Sequence, residues 1–242
     1  MGAVMRGSLA ALRRRWLLLL LMILVAFGGD LAINALDGPD LAEGAPATPL
    51  SVLWQAAYDL LDGLVAGVVI ALALSGAKGE RFRLAELARR VASALPTLAC
   101  GILVMSGPGW ITTLWPIGGD AVDRLPISAV YYLVMATVLG MTLPAALDLK
   151  LSPPAAARVG LRLTAGRRWL LLGIWMLAAV AAVLMFGLGY VPFLFANLGD
   201  HWAAETIEYP VETLMNVLLV GLYIELDRLR GQGPERVADT FA

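Results

Sequence analysis

Polar side chains inside two apolar stretches are the residues of this chain whose types and spacing suit binding chemistry. Asp59 and Asp62 are three residues apart in one stretch. Glu208, Glu212 and Asn216 follow one another at intervals of four in the other, so each set lies on one helical face. A carboxylate in lipid is costly and usually marks a partner or a pathway. The two stripes favour polar helix packing, and an outward-open acidic cavity for cations, protons or amines or a partner-binding face are the alternatives.

A pair of glycines follows the first acidic stripe on the same side of the helix. Gly63 and Gly67 form a GxxxG motif, which lets the backbone of a neighbouring helix approach closely. The motif predicts helix packing, more often within one chain than between two.

Metal and catalytic chemistry have little support. His201 is the only histidine, and it lies near Asp200, Glu205 and Glu208. Zinc sites normally need two or more His or Cys ligands, so a solvated outer helix is preferred over a metal site here. The single Cys100 excludes an intrachain disulfide, and the chain has no nucleophile elbow, phosphate-binding loop or HExxH motif. We expect no enzyme activity, no metal and no cofactor.

The elements that position these residues are six apolar stretches, each long enough to cross a bilayer as a helix. They cover roughly 16–36, 51–75, 91–107, 127–147, 169–190 and 210–226. Pro144 is the expected kink in the fourth. The sequence therefore predicts an all-α protein with a single membrane domain over residues 1–242.

Basic residues alternate between the gaps that separate these stretches. Seventeen of the 18 Lys and Arg residues fall before the first stretch or after the second, fourth and sixth, and only Arg124 lies in another gap. By the positive-inside rule both termini are cytoplasmic and the acidic gaps face outward. A cleaved signal peptide in place of the first span is the alternative, because Arg13, Arg14 and Arg15 precede a Leu-rich core.

A 77-residue spacing suggests three tandem units. Arg13, Arg90 and Arg167 are separated by this interval, and each lies in a basic amphipathic segment that leads into a span. The pattern predicts cytoplasmic interfacial helices, each heading a transmembrane hairpin; a chance spacing is the alternative.

These segments also predict contact with anionic lipid head groups, although ordinary orientation charge explains the same residues. The expected head-group residues are Arg81, Arg89, Arg90, Arg158, Arg162, Arg167 and Arg168.

The segment SPPAAARVGLRLTAGRRWLLLG and the terminal LLVGLYIELDRLRG resemble those of the YciC-like and glycerophosphodiester-phosphodiesterase membrane-domain group. The resemblance implies an integral membrane domain of the bacterial inner membrane. No phosphodiesterase residues are matched, so it implies no catalysis.

Together these patterns predict a non-enzymatic membrane scaffold or accessory subunit. Its expected partners are membrane lipids and other membrane subunits or a second copy of itself, and nucleic acid is not among them. The alternative is a small transporter or lipid-handling protein that uses the acidic cavity, opened to the outside.

Overall fold

The computed structural model describes residues 2–37, 49–114, 130–131, 133–169, 171–176, 180 and 200–230, and their regular secondary structure is entirely helical. Its longer helices are α1 (Gly2–Asp37), α2 (Pro49–Lys78), α3 (Leu84–Leu114), α4 (Thr142–Leu149), α5 (Pro153–Thr164) and α6 (Asp200–Arg230). Shorter helical segments lie at 133–139 and 171–176. The all-α prediction is therefore confirmed for this part of the chain.

Three helices are long and apolar enough to cross a membrane. They are Leu53–Lys78, Leu84–Pro108 and Tyr209–Arg230, which lie in the second, third and sixth predicted spans. A fourth candidate combines Leu133–Leu149 with Pro153–Thr164, two helices bent by 119°. The protein thus has three or four candidate spans among the described residues, and most of the fifth predicted stretch lies outside them.

Helix α1 packs against both α2 and α6 through small residues. A side-chain carbon on Gly76 would lie 3.1 Å from the Cα atom of Ala11, and Gly221 contacts the first turns of α1 just as closely. Ser8 is buried there and donates a hydrogen bond to the backbone oxygen of Val217 at 3.3 Å. Backbones approach this closely only where side chains are absent or small.

The predicted GxxxG motif lies between α2 and α3. A Cβ atom on Gly63 would come within 3.1 Å of Ile102 Cγ1, and one on Gly67 within 2.9 Å of Leu98 Cδ1. The two glycines therefore make room for aliphatic side chains of α3.

The fourth predicted span is interrupted at Gly140 and Met141, one turn before Pro144. Proline has no amide hydrogen to donate to the carbonyl four residues earlier, which here belongs to Gly140, and its ring crowds that carbonyl. Helix α4 then starts afresh at Thr142. The break lies where a proline kink was expected, and α5 packs beside it with Gly160 close to the amide nitrogen of Thr142.

Only one of the three predicted interfacial segments forms a separate helix. Helix α5 begins with prolines in its first turn and buries Ala156, Gly160 and Leu163 against its neighbours. The other two segments are the first turns of α1 and α3, continuous with the apolar helices that follow. That part of the prediction is wrong, because in both segments the helix continues from the amphipathic turns into the apolar stretch, in α3 past Pro96.

Candidate functional site

The polar residues of the described chain gather at two ends of the bundle. We call the end where α2 stops at Lys78 and α3 begins at Leu84 the basic end. We call the end where Tyr58 of α2 meets Tyr209 of α6 the acidic end.

At the acidic end, Asp62 lines a small, partly open cleft between three helices. Helix α1 contributes Ala26, α2 contributes Tyr58 and Asp62, and α6 contributes Tyr209. The two tyrosine hydroxyls are 3.0 Å apart and share a hydrogen bond. The cleft thus places a half-buried carboxylate beside two tyrosine side chains of different helices.

Three other members of the two stripes, Asp59, Glu212 and Asn216, make hydrogen bonds one turn away on their own helices. Gln55 donates to Asp59 Oδ1 at 3.0 Å, and Asn216 donates to Glu212 Oε1 at 3.4 Å. The Glu208 side chain, like that of His201, lies outside the described residues. The structure therefore places Asp62 of the first stripe beside Tyr209. Tyr209 follows Glu208, the first residue of the α6 stripe, in the chain.

The glycines and the cleft carboxylate point to different neighbours. Asp62 lines the cleft between α1 and α6, whereas Gly63 and Gly67 face Leu98 and Ile102 of α3. The prediction that they share one side is corrected in this respect, because adjacent helix positions such as Asp62 and Gly63 are about 100° apart around the axis.

At the basic end, Asp148 joins three helices. One oxygen forms an ion pair with Lys78 of α2 at 2.5 Å, and the other accepts a hydrogen bond from Tyr223 of α6 at 3.0 Å. Only 7% of the Asp148 side chain is exposed, whereas Lys78 is 38% exposed. The carboxylate is thus compensated by two groups that come from different helices.

Two arginines of α1 hold the end of α2 and the turn after it. Arg14 donates to the backbone oxygen of Gly76 at 3.0 Å, and Arg15 donates to that of Glu80 at 2.6 Å. The Arg15 guanidinium also lies 5.5 Å from the centre of the Phe82 ring. Cations favour the carbonyl end of a helix, so these contacts fix α1 against α2 electrostatically.

Arg90 differs from the other predicted head-group residues. Its side chain is only 11% exposed and forms an ion pair with Glu80 at 2.9 Å. The remaining six are exposed: Arg81, Arg89, Arg158, Arg162, Arg167 and Arg168. Beside Arg90 a shallow pocket opens to the surface between the end of α2 and the start of α3.

Sequence reasoning missed the contacts of Asp148, Lys78 and Tyr223. A signal for them exists, since Asp148 is the only carboxylate between the fourth and fifth apolar stretches, where basic residues dominate. An acid in a basic gap suggests a specific cationic partner, but the sequence does not show which one.

No protein-family model, curated protein or solved structure matches this chain. The resemblance to the YciC-like group therefore stays a prediction.

Proposed function

We propose that the protein is a non-enzymatic scaffold or accessory subunit of a membrane complex. It crosses the bacterial inner membrane six times, with both termini in the cytoplasm and the basic end at the cytoplasmic leaflet. The alternating charge of the sequence and the candidate spans support this arrangement.

The observation that carries the proposal is the uncovered apolar surface of α3. In its most apolar stretch only 17% of residues are buried by the described chain, against 56% in α2 and 50% in α6. Leu103 is 60% exposed, and Cys100 on the same helix is exposed as well. A helix that packs so little against the described part of the chain has apolar surface for lipid or another subunit.

The test is site-specific photo-cross-linking in native membranes. A photoreactive amino acid at Leu103 is expected to form one adduct of defined mass with a second membrane protein or a second copy. The matched control at Leu72, which is 2% exposed, should form none. Adducts with lipid alone at Leu103, Leu95 and Val104 would contradict the accessory role.

A small transporter is the alternative, and the acidic-end cleft favours it. Asp62 lies between three helices together with Tyr58 and Tyr209. A carboxylate between helices can bind a cation directly or carry a proton. Exchange of that cation or proton with the outside would drive transport of a substrate.

Uptake assays in vesicles separate the two proposals. For a transporter, Asp62→Asn and Glu212→Gln should abolish cation- or amine-coupled flux and leave cross-linking at Leu103 unchanged. For an accessory subunit, the same variants should leave complex assembly unaffected. Asp227→Asn, an exposed carboxylate of α6 at the basic end, is the control in both assays.

A further inference from the structure

Arg90 carries a donor for which the described chain provides no acceptor. Its Nη2 atom donates to Glu80 Oε2 at 2.9 Å and lies 4.0 Å from Glu86 Oε1. Its Nη1 atom is buried and makes no hydrogen bond to any described residue. A buried donor without an acceptor is unfavourable, so this atom indicates an acceptor that comes from outside these residues.

The pocket beside Arg90 has the composition of an anion site. Arg81 and Arg83 line it together with Arg90, and Glu80 and Glu86 are the acidic residues there. Three arginines against two glutamates leave one net positive charge. The guanidinium group presents its N–H donors as a planar fork, which fits two oxygens of one phosphate.

We propose that this pocket binds a single phosphate group, carried by an anionic phospholipid or free in solution. Arg90 donates to the phosphate from the base of the pocket, and Arg81 and Arg83 add positive charge at its rim. Glu80 is the internal counter-ion when the pocket is empty. Its side chain is 36% exposed, so it can turn toward water when a phosphate takes its place on Arg90.

Apolar side chains beside the pocket suit a phospholipid. Phe82, in the connection between α2 and α3, is 39% exposed, and Leu84, the first residue of α3, is 70% exposed. At the surface of a membrane these side chains would contact acyl chains next to a bound head group. Binding of a phospholipid requires the proposed position of the basic end at the cytoplasmic leaflet. Binding of free phosphate does not require it.

The test is native mass spectrometry of the full chain in detergent, titrated separately with phosphatidic acid, phosphatidylcholine and inorganic phosphate. Arg90→Gln is expected to weaken phosphatidic acid or phosphate binding about tenfold, because the buried forked donor is lost. Arg89→Gln removes the same charge from an exposed neighbour whose Nε atom bonds to Ala85 of its own helix. It should change binding by less than about twofold, since it does not line the pocket.

A variant that binds phosphate more tightly cannot be explained by misfolding. Glu80→Gln removes the competing counter-ion and leaves Arg90 in place, so binding should tighten about threefold. Thermal unfolding of each variant in the same detergent checks that it is folded.

The titrations also distinguish the sources. Binding of phosphatidic acid that millimolar phosphate does not displace assigns the pocket to a lipid, whereas saturable binding of inorganic phosphate assigns it to the free ion. Equal losses in Arg89→Gln and Arg90→Gln, or no binding of either probe, would overturn the proposal. The cross-linking at Leu103 is independent of these titrations, so either proposal can fail alone.

Discussion

The basic and acidic ends of the bundle use polar residues differently. At the basic end, charged groups connect separate helices: Asp148 bonds to α2 and α6, and Arg14 bonds from α1 to the end of α2. At the acidic end, a neutral tyrosine pair connects α2 to α6, while Asp59 and Glu212 bond to residues one turn away on their own helices.

The difference indicates which end holds the helices together. A buried charge must be compensated, so removing one partner across helices is expensive. A carboxylate that bonds along its own helix holds no second helix through that bond. We therefore expect the basic end to govern stability and the acidic end to tolerate change.

The largest effect should come from Asp148→Ala. It leaves the Tyr223 hydroxyl and Lys78 without their shared partner, and we expect a loss of about 2–3 kcal/mol in the free energy of unfolding. The loss is smaller than for a fully buried pair because Lys78 is partly exposed. Unfolding in detergent followed by circular dichroism measures it. The exposed Asp227→Ala is the control, and an equal loss in both would contradict the assignment of Asp148 as a structural centre.

Gly221→Ala should destabilise the contact between α1 and α6 by about 2 kcal/mol. The added methyl group would collide with the Ser8 hydroxyl and lie 2.7 Å from the backbone oxygen of Val4. Gly101→Ala is the matched control on α3, since no described residue lies within 4 Å of its added carbon. The same unfolding assay compares the two variants, and a neutral Gly221→Ala would show that α1 is not held there.

Removing one tyrosine hydroxyl at each end tests directly whether the basic end contributes more to stability than the acidic end. Tyr223→Phe removes a hydrogen bond to a carboxylate and should cost about 2 kcal/mol, whereas Tyr209→Phe removes one between neutral groups and should cost about 1 kcal/mol. Chemical unfolding of both variants gives the ratio. A larger cost at Tyr209 would reverse the proposed roles of the ends.

Asp59→Asn should have the smallest effect, within about 0.5 kcal/mol. The amide keeps an oxygen that can accept from Gln55 one turn earlier on α2, and such pairs contribute little. A measured loss above about 1 kcal/mol would mean that Asp59 holds the acidic end together.

Much of the architecture could be predicted because it follows from local rules. The helical class follows from the length and apolarity of the stretches, and the interruption of the fourth stretch follows from Pro144. Alternating charge predicts the orientation of the spans. Six spans remain a prediction, since three or four candidates fall within the described residues.

The partners of the polar residues could not be predicted in the same way. The sequence placed Asp62 and Gly63 on one side, but the structure directs them to different helices. It also grouped Arg90 with exposed head-group residues, although Arg90 is largely buried against Glu80. Each of these outcomes depends on which helices become neighbours.

The sequence by itself determined where helices form, where one breaks and how charge is divided between the two ends, because apolar length, proline and charge act locally along the chain. Only the tertiary structure decided that Asp148 meets Lys78 and Tyr223, and that α1 contacts α6 at Gly221. These pairs are separated by 70 residues or more in the chain. Their proximity results from the packing of whole helices, in which small residues permit close approach and buried charges require a partner.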